Sequence, residues 1–288
     1  MTENRVFKNL IRARMQITGE SYTVARRSFQ AKYSFNNTPK LDTLLAEKDY
    51  EVIQKHKEER DYGLHLVIGR TGSGKTTTRN SILDYYMDNP RGRRLVMLEN
   101  NNEIGDEQVL DVIKLFINTE AGKKFREENQ AGPDKLKPFI RQVLRMRTDY
   151  ISYDEIRDSY EAYHLGQCAN TGGGVFSTMY AINEENAVGR LTHLANSRDS
   201  NSKYLAPLFR DNLESLTTMN MVRLGDTRLR FATTIPMTKE SWDAALKGRL
   251  NDWCAANGHE SSTMKIERLL KEKVLEYGPH GLQAVVEK

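Results

Sequence analysis

Residues 69–76 read Gly-Arg-Thr-Gly-Ser-Gly-Lys-Thr and satisfy the pattern G-x4-G-K-[ST] of a phosphate loop, or P-loop. Each residue type has a reason to sit where it does. Gly69, Gly72 and Gly74 let the backbone curl so that successive N–H groups face a polyphosphate. The N-terminus of a following helix adds positive potential. Lys75 reaches the β- and γ-phosphates, and the Thr76 hydroxyl is a ligand for Mg2+. An apolar run, Leu64–Ile68, precedes the glycines, and a helical pattern follows from Lys75 to about Met87. The predicted nucleotide contacts are Gly69, Arg70, Thr71, Gly72, Ser73, Gly74, Lys75, Thr76 and Thr77. The expected ligand is a nucleoside triphosphate with Mg2+.

Such a loop needs a carboxylate to position the metal and, for hydrolysis, a group that orients water. Tyr150-Ile-Ser-Tyr-Asp-Glu155 offers both at the end of a short apolar strand. Ligands sit beyond the carboxyl ends of strands in open α/β sheets. On that basis Asp154 is the expected Mg2+ ligand, Glu155 the residue that orients or deprotonates water, and their strand a neighbour of the loop's strand. The alternative for this pair is a helix-capping role.

Stepping outward from these groups, the pattern predicts the elements that hold them. Strands are expected at Leu64–Ile68, Arg94–Glu99, Tyr150–Asp154 and Gly174–Met179. Helices are expected over Leu41–Arg60, Lys75–Met87, residues 106–117, Pro138–Met146, Tyr160–Leu165 and Glu184–Asn196, and a mainly helical end includes Lys239–Trp253 and Met264–Tyr277. Strands alternating with helices indicate an α/β fold with a mostly parallel sheet and helices on both faces. The expected organisation is a basic helical arm and linker helix over 1–62, a core over 63–236 and a helical C-terminal region over 237–288. Trp242 and Trp253 are read as packing residues on one helix, His65 as a buried, hydrogen-bonded histidine and His193 as a surface one.

Composition narrows the classes. The 288 residues are 38% hydrophobic and 28% charged, enough to bury a core. No apolar run approaches the ~18 residues of a membrane span. The first residues lack the apolar stretch of a signal peptide. Two cysteines, Cys168 and Cys254, cannot make a disulfide framework or a four-thiolate zinc site. A cytoplasmic protein is expected. The net charge is +4, yet residues 1–33 hold Arg5, Lys8, Arg12, Arg14, Arg26, Arg27 and Lys32 against Glu3 and Glu20. A basic arm on a nearly neutral body points to DNA or an anionic membrane surface as its partner, or to a packing appendage with a solvated charged face.

Several motifs in register resemble the secretion ATPases of type II and type IV secretion systems and type IV pili. Gly63-Leu-His-Leu-Val-Ile-Gly69 and the loop are similar to that family's lead-in strand and P-loop. Leu98-Glu-Asn-Asn-Asn-Glu103 falls on its acidic "Asp box", and Thr171-Gly172 with Val175-Phe176-Ser177-Thr178 on its "His box". Arg141-x-x-x-Arg145, Asp149 and Glu155-x-Arg157-Asp158 resemble its arginine and acidic signature, and Asn186-Ala-Val-Gly-Arg190-Leu191 continues the register.

The resemblance implies a RecA-like subunit of a hexameric ring that burns ATP with Mg2+. Its sites would lie near subunit interfaces, its partners would be inner-membrane platform proteins, and it would sit peripherally at that membrane. It implies Glu155 as the catalytic glutamate and Glu99 as the Asp-box carboxylate. Arg141, Arg145 and Arg157 are then the basic residues nearest the chemistry. Asn100 stands where the family has aspartate, its histidines fall on Gly173 and Tyr180, and Asp154 replaces its usual glycine. Residues 1–62 look helical where the family has a larger domain supplying arginines, for which Arg26 and Arg27 are the candidates. These departures bear on turnover more than on nucleotide binding. Three functions are in view: a motor for secretion, pilus or conjugative transfer machines, a DNA-associated plasmid-transfer factor, and a nucleotide-binding assembly subunit with weak hydrolysis.

Overall fold

Leu64, Leu66 and Ile68 of β1 (Gly63–Gly69) enter one apolar cluster, while His65 and Val67 face the opposite side of the sheet. That period-two alternation divides the core in two. The computed structural model describes residues 39–88, 93–100, 112–129, 134–196, 205–224, 227–273, 275–278 and 281–284. The smaller cluster is covered by α1 (Leu41–Leu44), α2 (Glu47–Glu59) and α3 (Lys75–Met87), through Leu41, Ile53, Ile82, Leu83 and Tyr86. The larger one is covered by α4 (Glu120–Glu128), α5 (Lys137–Arg145), α6 (Ser159–Asn170), α7 (Glu184–Asn196), α8 (Leu205–Asn212), α9 (Lys239–Leu246) and α10 (Leu250–Ala256). A further helix, α11 (Ser262–Lys271), leans on that cluster through Met264.

The remaining strands are β2 (Leu95–Glu99), β3 (Val112–Phe116), β4 (Tyr150–Tyr153), β5 (Gly174–Met179), β6 (Leu213–Leu224), β7 (Thr227–Pro236), β8 (Leu275–Gly278) and β9 (Gly281–Ala284). Their order is β3-β2-β4-β5-β1-β6-β9-β8, with β7 also paired to β6. From β3 through β6 every pairing is parallel, whereas β6–β7 and β8–β9 are antiparallel. The expected fold class is therefore the observed one. One expectation about position is corrected: β4 is not next to β1, because β5 lies between them. The two outer strand ends are thus ~10 Å apart, twice the ~4.8 Å strand spacing.

Some predicted elements fall differently. Residues 112–116 of the expected 106–117 helix are a strand, with Leu95 through Glu99 opposite Val112 through Phe116. Ile113, Leu115 and Ile117, two apart, all enter the larger core. A nearly continuous apolar run fits a buried strand as well as a helix, and periodicity alone does not separate them. Burying each of these side chains stabilises the fold by about 1.5–3 kcal/mol.

The C-terminal region is not helical throughout: α11 stops at Lys271, Lys273 takes a left-handed φ of 57°, and the β8–β9 hairpin follows. Gly278 and Gly281 around Pro279-His280 were the turn signal for it. The long β6–β7 hairpin was not anticipated. The linker helix breaks at Leu45-Ala46 into α1 and α2. The two tryptophans sit on different helices, because Gly248 (φ 65°) separates them; Trp242 is buried and Trp253 stacks on His259. The basic arm, residues 1–33, lies outside the described residues.

Candidate functional site

The phosphate-loop residues link β1 to α3 at the carboxyl edge of the sheet. Gly69 has φ 152°, and a Cβ there would stand 2.7 Å from the Met219 carbonyl oxygen of β6. Gly74 is the N-cap of α3 with φ 98°, a conformation L side chains rarely adopt, and no side chain caps the helix. An uncapped helix N-terminus of this kind offers backbone N–H groups and positive potential to an anion. Lys75 Nζ donates to the Arg70 carbonyl at 3.2 Å, and the Ser73 amide donates to the same oxygen at 3.2 Å. Arg230 of β7 donates through Nε to the Gly72 carbonyl at 3.3 Å. Arg70, Thr71, Gly72 and Thr77 are exposed, Thr76 is half-buried, and Thr78 is buried with its hydroxyl on the Met219 sulfur.

Beyond β4 the chain leaves the sheet through Asp154 and Glu155, and Thr178 of β5 holds it on both sides. The Thr178 hydroxyl donates to the Asp154 carbonyl at 2.6 Å, and the Ile156 amide donates to the Thr178 carbonyl at 2.8 Å. Glu155 is thereby fixed between two bonds to one residue. Its Oε2 accepts from Arg157 Nε at 2.8 Å. The Asp154 carboxylate is engaged from two directions: the Asn100 amide donates to Oδ2 at 2.5 Å, and Arg79 Nη1 stands 3.4 Å from Oδ1.

Glu99 ends β2 and is 1% exposed. Asn100, in the Asp-box aspartate position, contributes its backbone amide to Asp154, while its side chain bonds the Tyr153 phenol at 3.4 Å and accepts from Asn118 at 3.4 Å. Burial pushes the Tyr153 phenol far above its usual range, so it remains a donor, and it donates to Glu161 Oε1 at 2.5 Å. Burial also raises the Glu161 carboxyl, against the bonds it accepts from Tyr153 and from the Arg157 and Asp158 amides. Asp158 in turn caps α6 through the Tyr160 and Glu161 amides, which stabilises that helix by ~1 kcal/mol. Asn100, Asn118, Tyr153, Asp158 and Glu161 line a polar cleft of about 420 Å³ together with Arg157 and Lys135.

Of the three predicted arginines, Arg157 reaches Glu155, while Arg141 and Arg145 stand on the exposed side of α5. Tyr180, in the His-box position, is 42% exposed, and its carbonyl accepts from Arg190 at 2.7 Å. His65 is buried and bonded to Ser215, and His193 is exposed, as expected. Both cysteines are buried and free, and burial pushes each thiol up to about 12. Sequence reasoning missed two residues with clear positions here. Arg79 has the sequence signal of a basic residue one turn past Lys75, and Thr178 had none beyond its place in the His box.

Residues 15–251 match the family described as "Type II/IV secretion system protein". The competence protein ComGA of Streptococcus pneumoniae is 31% identical over 143 residues, which are 50% of this chain and 40% of ComGA. The type IV pilus assembly ATPase PilB of Thermus thermophilus is 28% identical over 149 residues, 50% of this chain and 14% of PilB. The chain thus aligns with less than half the length of either relative. Among solved structures, that of the pilus retraction motor PilT with bound ADP superposes with a TM-score of 0.63 over 86% of this chain and 65% of PilT, at 20% identity. At that identity the likeness is one of fold, a RecA-like sheet flanked by helices.

Proposed function

The chain belongs to the type II/IV secretion system protein family, and from that premise we propose that it binds Mg2+·ATP and hydrolyses it to drive a secretion, pilus or conjugative transfer machine. The observation that carries this reading is the sheet order. The phosphate loop follows β1 and the acidic turn follows β4, with β5 between, which leaves room for a triphosphate tail and a water across one strand. In this reading Lys75 and the amides of the loop hold the phosphates, and Glu155 accepts a proton from, or aims, the attacking water. Arg157 and Thr178 hold Glu155 in place.

The oxygen donors at this edge suit Mg2+, a hard cation. Thr76, at the first turn of α3, would hold it through its hydroxyl. Asp154 was the expected second ligand, and its carboxylate already accepts from Asn100 and faces Arg79. Bound there, the cation would neutralise charge on the phosphate oxygens.

Residues 63–236 are the ATPase core in this proposal, 1–62 an arm toward membrane or DNA, and 237–288 a C-terminal region closing the sheet. A homo-hexameric ring at the cytoplasmic face of a membrane, working on platform proteins, completes it. Among the described residues no helix is long and apolar enough to cross a membrane.

Nucleotide binding and turnover of the purified chain test the reading. Lys75→Ala should lose ATP affinity, whereas Glu155→Gln should retain it and lose at least about a hundredfold in kcat, the usual worth of a general base. An equally active Glu155→Gln protein refutes the mechanism. Sizing with and without Mg2+·ATP reports on the ring.

A further inference from the structure

Arg79 is 1% exposed, among the largest fully buried side chains of the protein. A guanidinium cannot escape burial by losing its proton, so it needs a counter-charge and acceptors for its five N–H groups. Arg79 has both. Nη1 donates to the Tyr153 carbonyl at 3.0 Å and stands 3.5 Å from the Asp154 carbonyl and 3.4 Å from Asp154 Oδ1. Nε and Nη2 donate to Asn80 Oδ1 at 3.2 and 3.1 Å. The Asp154 side chain is 15% exposed, and its other oxygen accepts the Asn100 amide at the end of β2.

The carboxylate that the sequence suggests for Mg2+ is thus spoken for. One oxygen faces a permanent cation and the other a backbone amide. A divalent ion ~2.1 Å from Oδ1 would stand beside the guanidinium, and the two positive charges would repel in a poorly solvated setting.

We propose that Asp154 is the counter-ion of Arg79 rather than a magnesium ligand, and that the pair is a strut joining the phosphate-loop helix to the acidic turn. Arg79 leaves α3 one turn after Lys75 and binds the last carbonyl of β4, which is separated from β1 by β5. Glu155 stands two residues further on, held by Thr178 on both flanks. The strut sets the separation between the amides that grip phosphate and the carboxylate that aims water. Arg79 and Asp154 are positioning residues. The proposal rests on the reading of Glu155 given above.

A double-mutant cycle tests it, with the full chain as wild type, Arg79→Leu, Asp154→Asn and the double variant. Three quantities are measured: the urea midpoint without nucleotide, the Mg2+ concentration for half-maximal binding of a non-hydrolysable ATP analogue, and kcat with KM. The strut predicts that each single variant lowers the urea midpoint and cuts kcat by about tenfold or more, as a sub-ångström to 1 Å misplacement does. The analogue's Mg2+ requirement stays within about twofold, and the double variant regains much of the urea midpoint, because neither charge is left buried alone, while its kcat stays as low as that of the single variants, because the strut is gone. Arg79→Lys, which keeps the charge and loses the fork, should fall between wild type and Arg79→Leu.

A tenfold or greater rise in the Mg2+ requirement of Asp154→Asn, with no recovery in the double variant, overturns the proposal. A single variant too unstable to purify supports it if the double variant purifies, and refutes it if the double variant is equally unstable. Should the wild type bind ATP without hydrolysing it, the proposed function fails, while the urea cycle and the Mg2+ titration still decide the strut.

Discussion

His56, near the end of α2, shares a 2.8 Å hydrogen bond with the phenol of Tyr86, 30 residues later in the last turn of α3. The same phenol lies 3.3 Å from His65 Nε2 on β1, whose Nδ1 meets Ser215 of β6 at 2.7 Å. His65 also stacks on Phe176 of β5 at 5.0 Å. Beyond His56 stand Glu214 and, bonded to it, Arg60. The helix that leads into the core, the phosphate-loop helix and strands β1 and β6 thus share one buried polar chain.

This chain makes stability depend on pH. Burial, and secondarily the nearby His56, hold the His65 imidazole well below its usual value of 6.5. The folded state therefore binds fewer protons than the unfolded state once pH falls under about 6.5. The stabilisation is complete above that pH and is lost as pH falls toward the folded pKa. Urea midpoints should decline between pH 7.5 and 5.5. His65→Phe, which keeps the stack on Phe176, should start lower and decline less. An identical slope in the variant would show that another group is responsible.

Glu184 gives the opposite sign. It is 1% exposed, and both Ser262 groups donate to it, the amide at 2.9 Å and the hydroxyl at 2.7 Å. Burial raises its pKa above 4.5 despite those bonds. Its contribution is present in full below 4.5 and is lost as pH rises through the folded pKa. Glu184→Gln should therefore gain on the wild type as pH rises from about 4.5 to 7 in thermal melts. Ser262→Ala should cost about 1–3 kcal/mol by removing a donor from a buried carboxylate.

Thr178→Val keeps the shape of the β5 end and removes the hydroxyl that grips the Asp154 carbonyl. The stability cost should be about 1 kcal/mol. Because Glu155 is held on that side by this bond, kcat should fall by several-fold more than the ATP KM changes. Unaltered kcat would mean that the Ile156 amide alone fixes the turn.

Gly74→Ala tests the loop's conformation. At φ 98° an added Cβ costs ~1–2 kcal/mol of backbone strain, and it meets Arg230 Cδ at 3.1 Å. Binding of ATP should weaken by about tenfold or more, and calorimetric titration would detect it. A variant with wild-type affinity would show that the loop tolerates a different curl.

Some features were readable from residue order because their causes are local. The loop Gly69–Thr76 carries its geometry in its own glycines, and the helices at Lys75–Met87 and Glu184–Asn196 occupy the residues their patterns suggested. Residues 112–116 were misread because a run of β-branched and apolar side chains satisfies a buried strand as readily as a helix. The β8–β9 hairpin was missed because Met264 to Tyr277 reads as one amphipathic stretch until Lys273 turns it.

The sequence by itself determined the chemistry on offer: a glycine loop with Lys75 and Thr76, an acidic pair at 154–155, and a parallel α/β frame to carry them. The tertiary structure decided which of those groups meet. That β5 lies between β1 and β4, that Arg79 faces Asp154 75 residues away, and that Thr178 clamps both sides of Glu155 all depend on strand order and register. Order and register are set by which apolar faces pack together across the whole sheet, a global sum that no local window of residues contains.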